Sequence, residues 1–185
     1  MDKKKLGSNV FMYPMPVALL GTKMGDHANF MALGWITRLN ANPPLLGIGV
    51  NKAHQTNQLI RQNKKFSINF PPAKLVEKVD YCGITSGKNT DKSELFQVYY
   101  GDLEVPLIEE CTLSLECELR DIYEMETNDL FIGEIIAAYS EEKYMSDGNL
   151  DMGKMDPLLL TMPDNNYWKV GEKAGKAWSI GKSLK

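Results

Sequence analysis

The clearest pattern lies at residues 111–120, where Cys111, Leu113, Leu115, Cys117 and Leu119 alternate with Thr112, Ser114, Glu116, Glu118 and Arg120. This period of two predicts an antiparallel strand with one face on a core and the other in water. Residues 130–139 form a second apolar, β-rich run after a polar turn at 126–129, so the two predict a long hairpin. Gly133 inside the second run predicts a bulge or a close backbone approach. Shorter runs predict strands at 17–22, 30–37, 45–50 and 66–70, with turns at Met24-Gly25-Asp26 and at Pro43-Pro44. A helix is expected over 56–62, which Thr56 could cap. A second is expected over 73–81, with Leu75, Val76 and Val79 on one stripe, and a further helical turn at 93–99.

These elements describe a mainly β protein with short helices. Barrel closure would remove exposed edges, although the pattern also allows a sandwich. With 185 residues, no internal repeat and no linker, one domain spanning residues 1–185 is expected.

Composition narrows the classes. Hydrophobic residues make up 43% and charged residues 24%, ordinary for a globular chain, and no apolar run reaches the length of a membrane span. The net charge of −3 leaves no basic footprint for nucleic acid. The basic start at Lys3-Lys4-Lys5 is followed by an apolar stretch containing Pro14 and Pro16, which suits an extended strand better than a secretory signal. Cys111 and Cys117 are six residues apart in the expected strand. At about 3.3 Å per residue their Cα atoms would stand about 20 Å apart, beyond disulfide or shared-metal reach. Unpaired cysteines point to a reducing compartment, the cytoplasm.

Most catalytic patterns are missing. There is no G-x-G-x-x-G after a strand and no phosphate-binding G-x-x-x-x-G-K-[ST]. The two histidines, His27 and His54, stand in no zinc-like spacing. Cys82 has no activating neighbour in sequence. A chain without its own acid, base, nucleophile or metal ligands can still do redox chemistry through a bound cofactor, which needs binding and orientation groups.

Three segments offer such groups. In residues 29–37 (NFMALGWIT), Ala32 and Gly34 would let a planar ring approach the backbone; the plainer reading is a core strand carrying Trp35. In residues 51–57 (NKAHQTN), a helix N-terminus, the Thr56 hydroxyl and the Lys52 ammonium would suit a phosphate; the plainer reading is a solvated cap. Within residues 81–96, Ser86-Gly87-Lys88 and Lys92 could form an anion-binding nest, although most such loops are simple turns.

Taken in order, these segments resemble the flavin-reductase-like, FMN-binding split-barrel family, and within it the flavoredoxin type. The likeness rests on Tyr13-Pro14-Met15-Pro16-Val17, ANFMALGW, Asn42-Pro43-Pro44, the HQT of residues 54–56 and FSINFP. It continues through VDYCGITSGKNTDK, VPLIEECTLSLEC, LFIGEI and YWKVGE. The resemblance implies a six-stranded antiparallel, Greek-key split β-barrel, a homodimer, and one FMN per subunit near the dimer interface. On that likeness Ala32, Leu33, Gly34, Trp35 and Thr37 would line the flavin and its ribityl chain, with Trp35 also able to pack beside the flavin or in the core. Lys52, His54 and Thr56 would lie near the phosphate. Ser86, Gly87, Lys88 and Lys92 would complete the cradle. Two positions depart from the family pattern. Lys88 stands where many relatives carry arginine, which loses a planar fork for phosphate. Asn128 stands where many carry a histidine linked to the nicotinamide side.

The resemblance therefore implies a flavin reductase-like enzyme that passes electrons from NAD(P)H through FMN to a flavin, ferric or protein acceptor. The alternative is a flavoredoxin-type carrier with tightly bound FMN, a redox partner protein and no direct NAD(P)H use. A barrel that has lost flavin and serves as a structural or binding dimer is the third reading.

Overall fold

The computed structural model describes residues 1–184. In chain order its elements are β1 (Met15–Pro16), β2 (Ala18–Met24), β3 (His27–Leu33), β4 (Ile36–Asn40), β5 (Leu45–Asn51), α1 (Gln55–Asn63) and β6 (Lys65–Phe70). There follow α2 (Val76–Ile84), β7 (Val98–Tyr100), β8 (Pro106–Ile108), β9 (Leu113–Glu124) and β10 (Asn128–Tyr139). Four short strands and a single turn of helix complete it: β11 (Met145–Ser146), β12 (Asn149–Leu150), α3 (Met152–Met155), β13 (Leu158–Thr161) and β14 (Asn166–Lys169).

The predicted hairpin forms between β9 and β10, and its ladder shifts register between Ile132 and Gly133, where the glycine marked a bulge. A Cβ on Gly133 would stand 2.5 Å from the Phe66 ring, so this strand can pass over Phe66 only without a side chain there. The hairpin sits in a seven-stranded antiparallel sheet ordered β3-β2-β6-β9-β10-β5-β4. Its two edges, β3 and β4, are consecutive in the chain and joined only by Gly34 and Trp35. The sheet must therefore curl until its edges meet, giving a barrel split at that junction. Counted as one bent strand, β3 and β4 make six strands around the wall, and the β5-to-β6 connection through α1 skips the β9–β10 hairpin in Greek-key fashion. The run at residues 30–37 predicts a single strand. The seventh strand appears because the chain leaves β2 at Leu33 and takes up β5 from Ile36.

Burial follows from this closure. Leu20, Met31, Leu46, Ile48, Phe66, Ile68, Leu115, Cys117 and Phe131 fill the barrel, with Ile60 of α1 packed into the same cluster. Leu19 and Phe30, on the opposite faces of β2 and β3, pack outside the wall with Val79 and Cys82 of α2. Strands covered on both sides read as continuous apolar runs, which is why β2 shows no alternation.

Three local expectations need correction. The polar face of β9 is not in water: Ser114 and Glu116 are buried. The segment around β7 and β8 covers that face, and the Glu116 carboxylate accepts from Leu103 N (3.0 and 3.1 Å) and the Tyr139 hydroxyl (3.0 Å). Thr56 is not the cap of α1. The cap is His54, with no side-chain bond to the helix, and Thr56 is buried in its first turn. Residues 93–99 hold one short 3-10 turn, Ser93–Leu95, and then β7.

Candidate functional site

The sequence candidates separate into two places along β3 and β4. The first is a polar cavity of about 170 Å³ where the start of α1 meets the loop after α2, lined by His54, Thr56, Ser86, Gly87 and Lys92 among others. The helix has neither an acidic residue in its first turn nor a side-chain cap; Asn57 N–H turns back to the His54 carbonyl at 3.2 Å, and the N–H groups ahead of it, with the positive dipole end, suit an outside acceptor. That donor set suits an anion.

Long-range hydrogen bonds hold the cavity together. Asn29, which the sequence reading left out of the candidates, reaches from β3 and donates to the Thr56 hydroxyl at 3.0 Å and to Thr22 at 3.4 Å. A Cβ on Gly87 would stand 2.3 Å from Asn29 Oδ1, so the loop closes on Asn29 only with glycine there. Lys92 is 3% exposed. Its three ammonium protons go to the carbonyls of Phe30 (2.9 Å), Cys82 (3.3 Å) and Thr85 (2.8 Å). Lys92 thus ties β3 to the end of α2 and brings a positive charge to the cavity wall. Burial lowers its pKa, with Cys82 acting weakly the other way. The Cys82 thiol is pushed up to about 11 by burial against the pull of Lys92, which leaves it protonated and inert as a nucleophile. At the cavity mouth the His54 pKa is lowered by desolvation first and by the Lys92 charge second.

The remaining cations lie outside. Lys88 is exposed, with Nζ 3.4 Å from the carbonyl of Ala53, a cavity-lining residue. The Lys52 ammonium stands 3.6 Å from Asp129 Oδ1. Asp129 is 1% exposed, and its other oxygen accepts from Asn57 at 2.9 Å and Arg61 at 2.8 Å. Burial alone would raise the Asp129 pKa, but these donors and the charges of Arg61 and Lys52 outweigh it and hold the carboxyl below its ordinary value. The network pins α1 to β10 and so fixes the direction of the helix N-terminus.

The second place is an apolar groove of about 570 Å³ lined by Met12, Met15, Pro16, Gly34, Trp35 and Thr37, with Gly49 and Leu130 in its floor. Trp35 lies over Gly49, where a Cβ would meet its ring at 3.2 Å, and is 47% exposed. Met31 lines the cavity, and Gly34, three residues further along the chain, lines the groove. Ala32 and Leu33 belong to neither: Ala32 faces Gly83 of α2, and Leu33 lies in the barrel core. Among the described residues no group of three or more His, Cys, Asp or Glu could hold a metal ion.

Residues 10–161 match the family model described as Flavin reductase like domain. The chain belongs to this family. Among solved structures, this flavin reductase-like chain is 57% identical to the flavoredoxin of Methanosarcina acetivorans, over 100% of both chains at a TM-score of 0.97. It is 34% identical to the flavoredoxin of Desulfovibrio vulgaris (Miyazaki F), over 97% of this chain and 100% of that one, at a TM-score of 0.90. An FMN-binding protein from Thermus thermophilus, solved with bound 1-cyclohex-2-enone, is 26% identical over 95% and 97% at a TM-score of 0.80. The split-barrel architecture and flavoredoxin-type resemblance expected from the sequence are borne out.

Proposed function

We propose that this protein binds FMN across the cavity and the groove and works in the cytoplasm, as a homodimer, as a flavoredoxin-type electron carrier. The uncapped α1 N-terminus over a polar cavity, linked to an apolar groove by the β3–β4 segment, carries the reading. It matches a ligand with an anionic end and a flat apolar end. The leading N–H groups of α1, the Thr56 and Ser86 hydroxyls and the Lys88 ammonium would hold the phosphate, with Lys52 and His54 at the rim. Gly87 keeps the loop close, and Lys92 supplies positive charge from the wall. Gly34, Trp35 and Thr37 would bound the ring. Bound FMN supplies reversible electron uptake and hydride acceptance; the protein's residues bind, orient and exclude water. No described side chain in the groove is placed as an acid or base, which fits chemistry carried by the cofactor. Three free, buried cysteines fit a reducing compartment.

A flavin reductase-like enzyme using NAD(P)H is the second reading, favoured by the family match over most of the chain. The residue at its nicotinamide-linked position is Asn128, whose side-chain oxygen accepts from Thr127 at 3.0 Å. Asparagine lacks the charge a histidine could bring there, which favours the carrier. Purified protein that stays colourless with added FMN would sink both readings. If it is yellow, anaerobic mixing with NADH and with NADPH decides between them. Prompt bleaching establishes the reductase. A flavin that ignores both nucleotides but is reduced by a protein donor establishes the carrier.

A further inference from the structure

Past β14 the chain first runs beside residues 150–156, with Val170 to Lys173 lining a cavity there, and then leaves the body of the fold. Residues 171–182 are exposed throughout, and Trp178 is 96% and Leu184 91% exposed. The segment is nonetheless shaped. The N–H groups of Ser179 and Ile180 both donate to the Lys176 carbonyl, making a hook with Trp178 on it. Trp178 has a φ of 56°, a left-handed conformation that a bulky side chain adopts only where its surroundings compensate. Its own chain supplies no such surroundings, since almost the whole side chain faces water. The agreement with the Methanosarcina acetivorans flavoredoxin runs over the full length of both chains at a TM-score of 0.97, a value that a tail running elsewhere would not permit. The arm's own contacts, the hook at Lys176 and the Ile180 side chain against Gly175, fix its turn and leave Trp178 uncovered for contact with another molecule.

A matching surface lies on the same molecule. The apolar groove beside Trp35 is bordered by β4, the outer strand of the sheet, whose residues 37–40 are all exposed. Trp35 at 47% and Leu39 at 46% exposure make this an uncovered apolar edge, the kind of surface that folds normally cover. Methionine and proline side chains along it offer soft, flat contacts suited to an aromatic ring.

We propose that residues 171–184 form an exchange arm that crosses to a second copy of this chain, where Trp178 covers the outer rim of the groove at Trp35 and Leu39 and leaves the groove itself to the flavin ring. In a two-fold dimer each copy both gives and receives an arm, so the contact is made twice. The inference rests on the homodimer reading above and adds that the outer rim of the groove is finished by the partner's arm.

The test uses the full-length protein saturated with FMN. Sedimentation velocity compares the wild type with Trp178→Ala and Trp178→Phe, and hydrogen exchange is followed on either side of the dimer dissociation constant. The expected result is a dimer weakened at least tenfold by Trp178→Ala and largely restored by Trp178→Phe. Exchange protection at residues 36–40 and at 171–182 should appear only with dimer formation. An unchanged dissociation constant in Trp178→Ala would overturn the arm while leaving the dimer standing. A wild type that stays monomeric at every concentration would overturn both. Arm protection independent of concentration, meaning an arm packed on its own chain, would refute the exchange, and protection away from residues 36–40 would refute the groove rim as its seat. Should Trp178→Ala prove unfolded by circular dichroism, the wild-type exchange data alone decide.

Discussion

The cavity at the start of α1 and the groove beside Trp35 flank the same β3–β4 segment, yet they are built in opposite ways. The cavity is finished by its own chain. Asn29, Thr56, Gly87 and Lys92 come from three segments (β3, α1 and the loop after α2) and are locked by hydrogen bonds and close packing that leave little freedom. The groove is unfinished: Trp35 and Leu39 pack on Gly49 and Gly47 with one side and are left 47% and 46% exposed. The contrast teaches that charge recognition here is preorganised, whereas apolar contact waits for a cofactor or a partner. Polar groups near a buried ammonium must be satisfied before any ligand arrives, but apolar surface can stay exposed at modest cost until it is covered.

The comparison can be broken most directly at Lys92. Replacing it with methionine leaves the carbonyls of Phe30, Cys82 and Thr85 without their donor, and should cost about 3 kcal/mol of stability. Urea denaturation of the FMN-free protein reads this; an unchanged midpoint would mean the cavity is not held by its own bonds.

The next largest effect is expected at Asp129. Asp129→Asn weakens the hold on Arg61 and Lys52 and should cost about 2 kcal/mol at neutral pH. Because the folded carboxyl is held below its ordinary value, its contribution is complete above the unfolded value of about 3.9. It is lost as the pH falls further, through the depressed folded value. Thermal melts from pH 7 to pH 2 should therefore show an acid-side loss in the wild type that is shallower in the variant. Parallel curves would remove Asp129 from the anchoring of α1.

The phosphate assignment is sharpened by Thr56→Ala combined with Lys88→Ala, which should weaken FMN binding about tenfold, or ~1.5 kcal/mol. Flavin fluorescence titration measures it, and an unaltered affinity would refute the assignment. The smallest effect belongs to the groove. Trp35→Ala should change the stability of the FMN-free protein by less than about 1 kcal/mol, since the ring is half exposed. A loss matching that of Lys92→Met would show that the groove is closed by its own chain, and the contrast between the two regions would fall.

Much of this was legible in the residues. The hairpin, its bulge at Gly133 and the break at Pro43-Pro44 are local patterns and formed where they were expected. The segments 51–57 and 81–96 were recognisable because hydroxyls, glycine and lysines gather in few residues, and the fold brings them to one cavity. Asn29 was missed because its partner Thr56 is 27 residues away, and a lone asparagine in an apolar run carries no local sign of its role. Lys92 looked like a free cation because sequence does not reveal that three carbonyls surround it. The short strands β13 and β14 escaped notice because their apolar run is too brief to set a period.

What the sequence alone determined is the β architecture, set by alternation and turn residues that act within a few positions. It also determined the chemical character of the three binding segments, which follows from residue type. The tertiary structure decided what covers each face. It buried Glu116 on a face that alternation had assigned to water, and it closed the sheet at Gly34 and Trp35 so that one expected strand became two. It also sorted the candidates between a locked polar cavity and an open apolar groove. Periodicity tells which side chains share a side, but only long-range pairing decides what lies against that side.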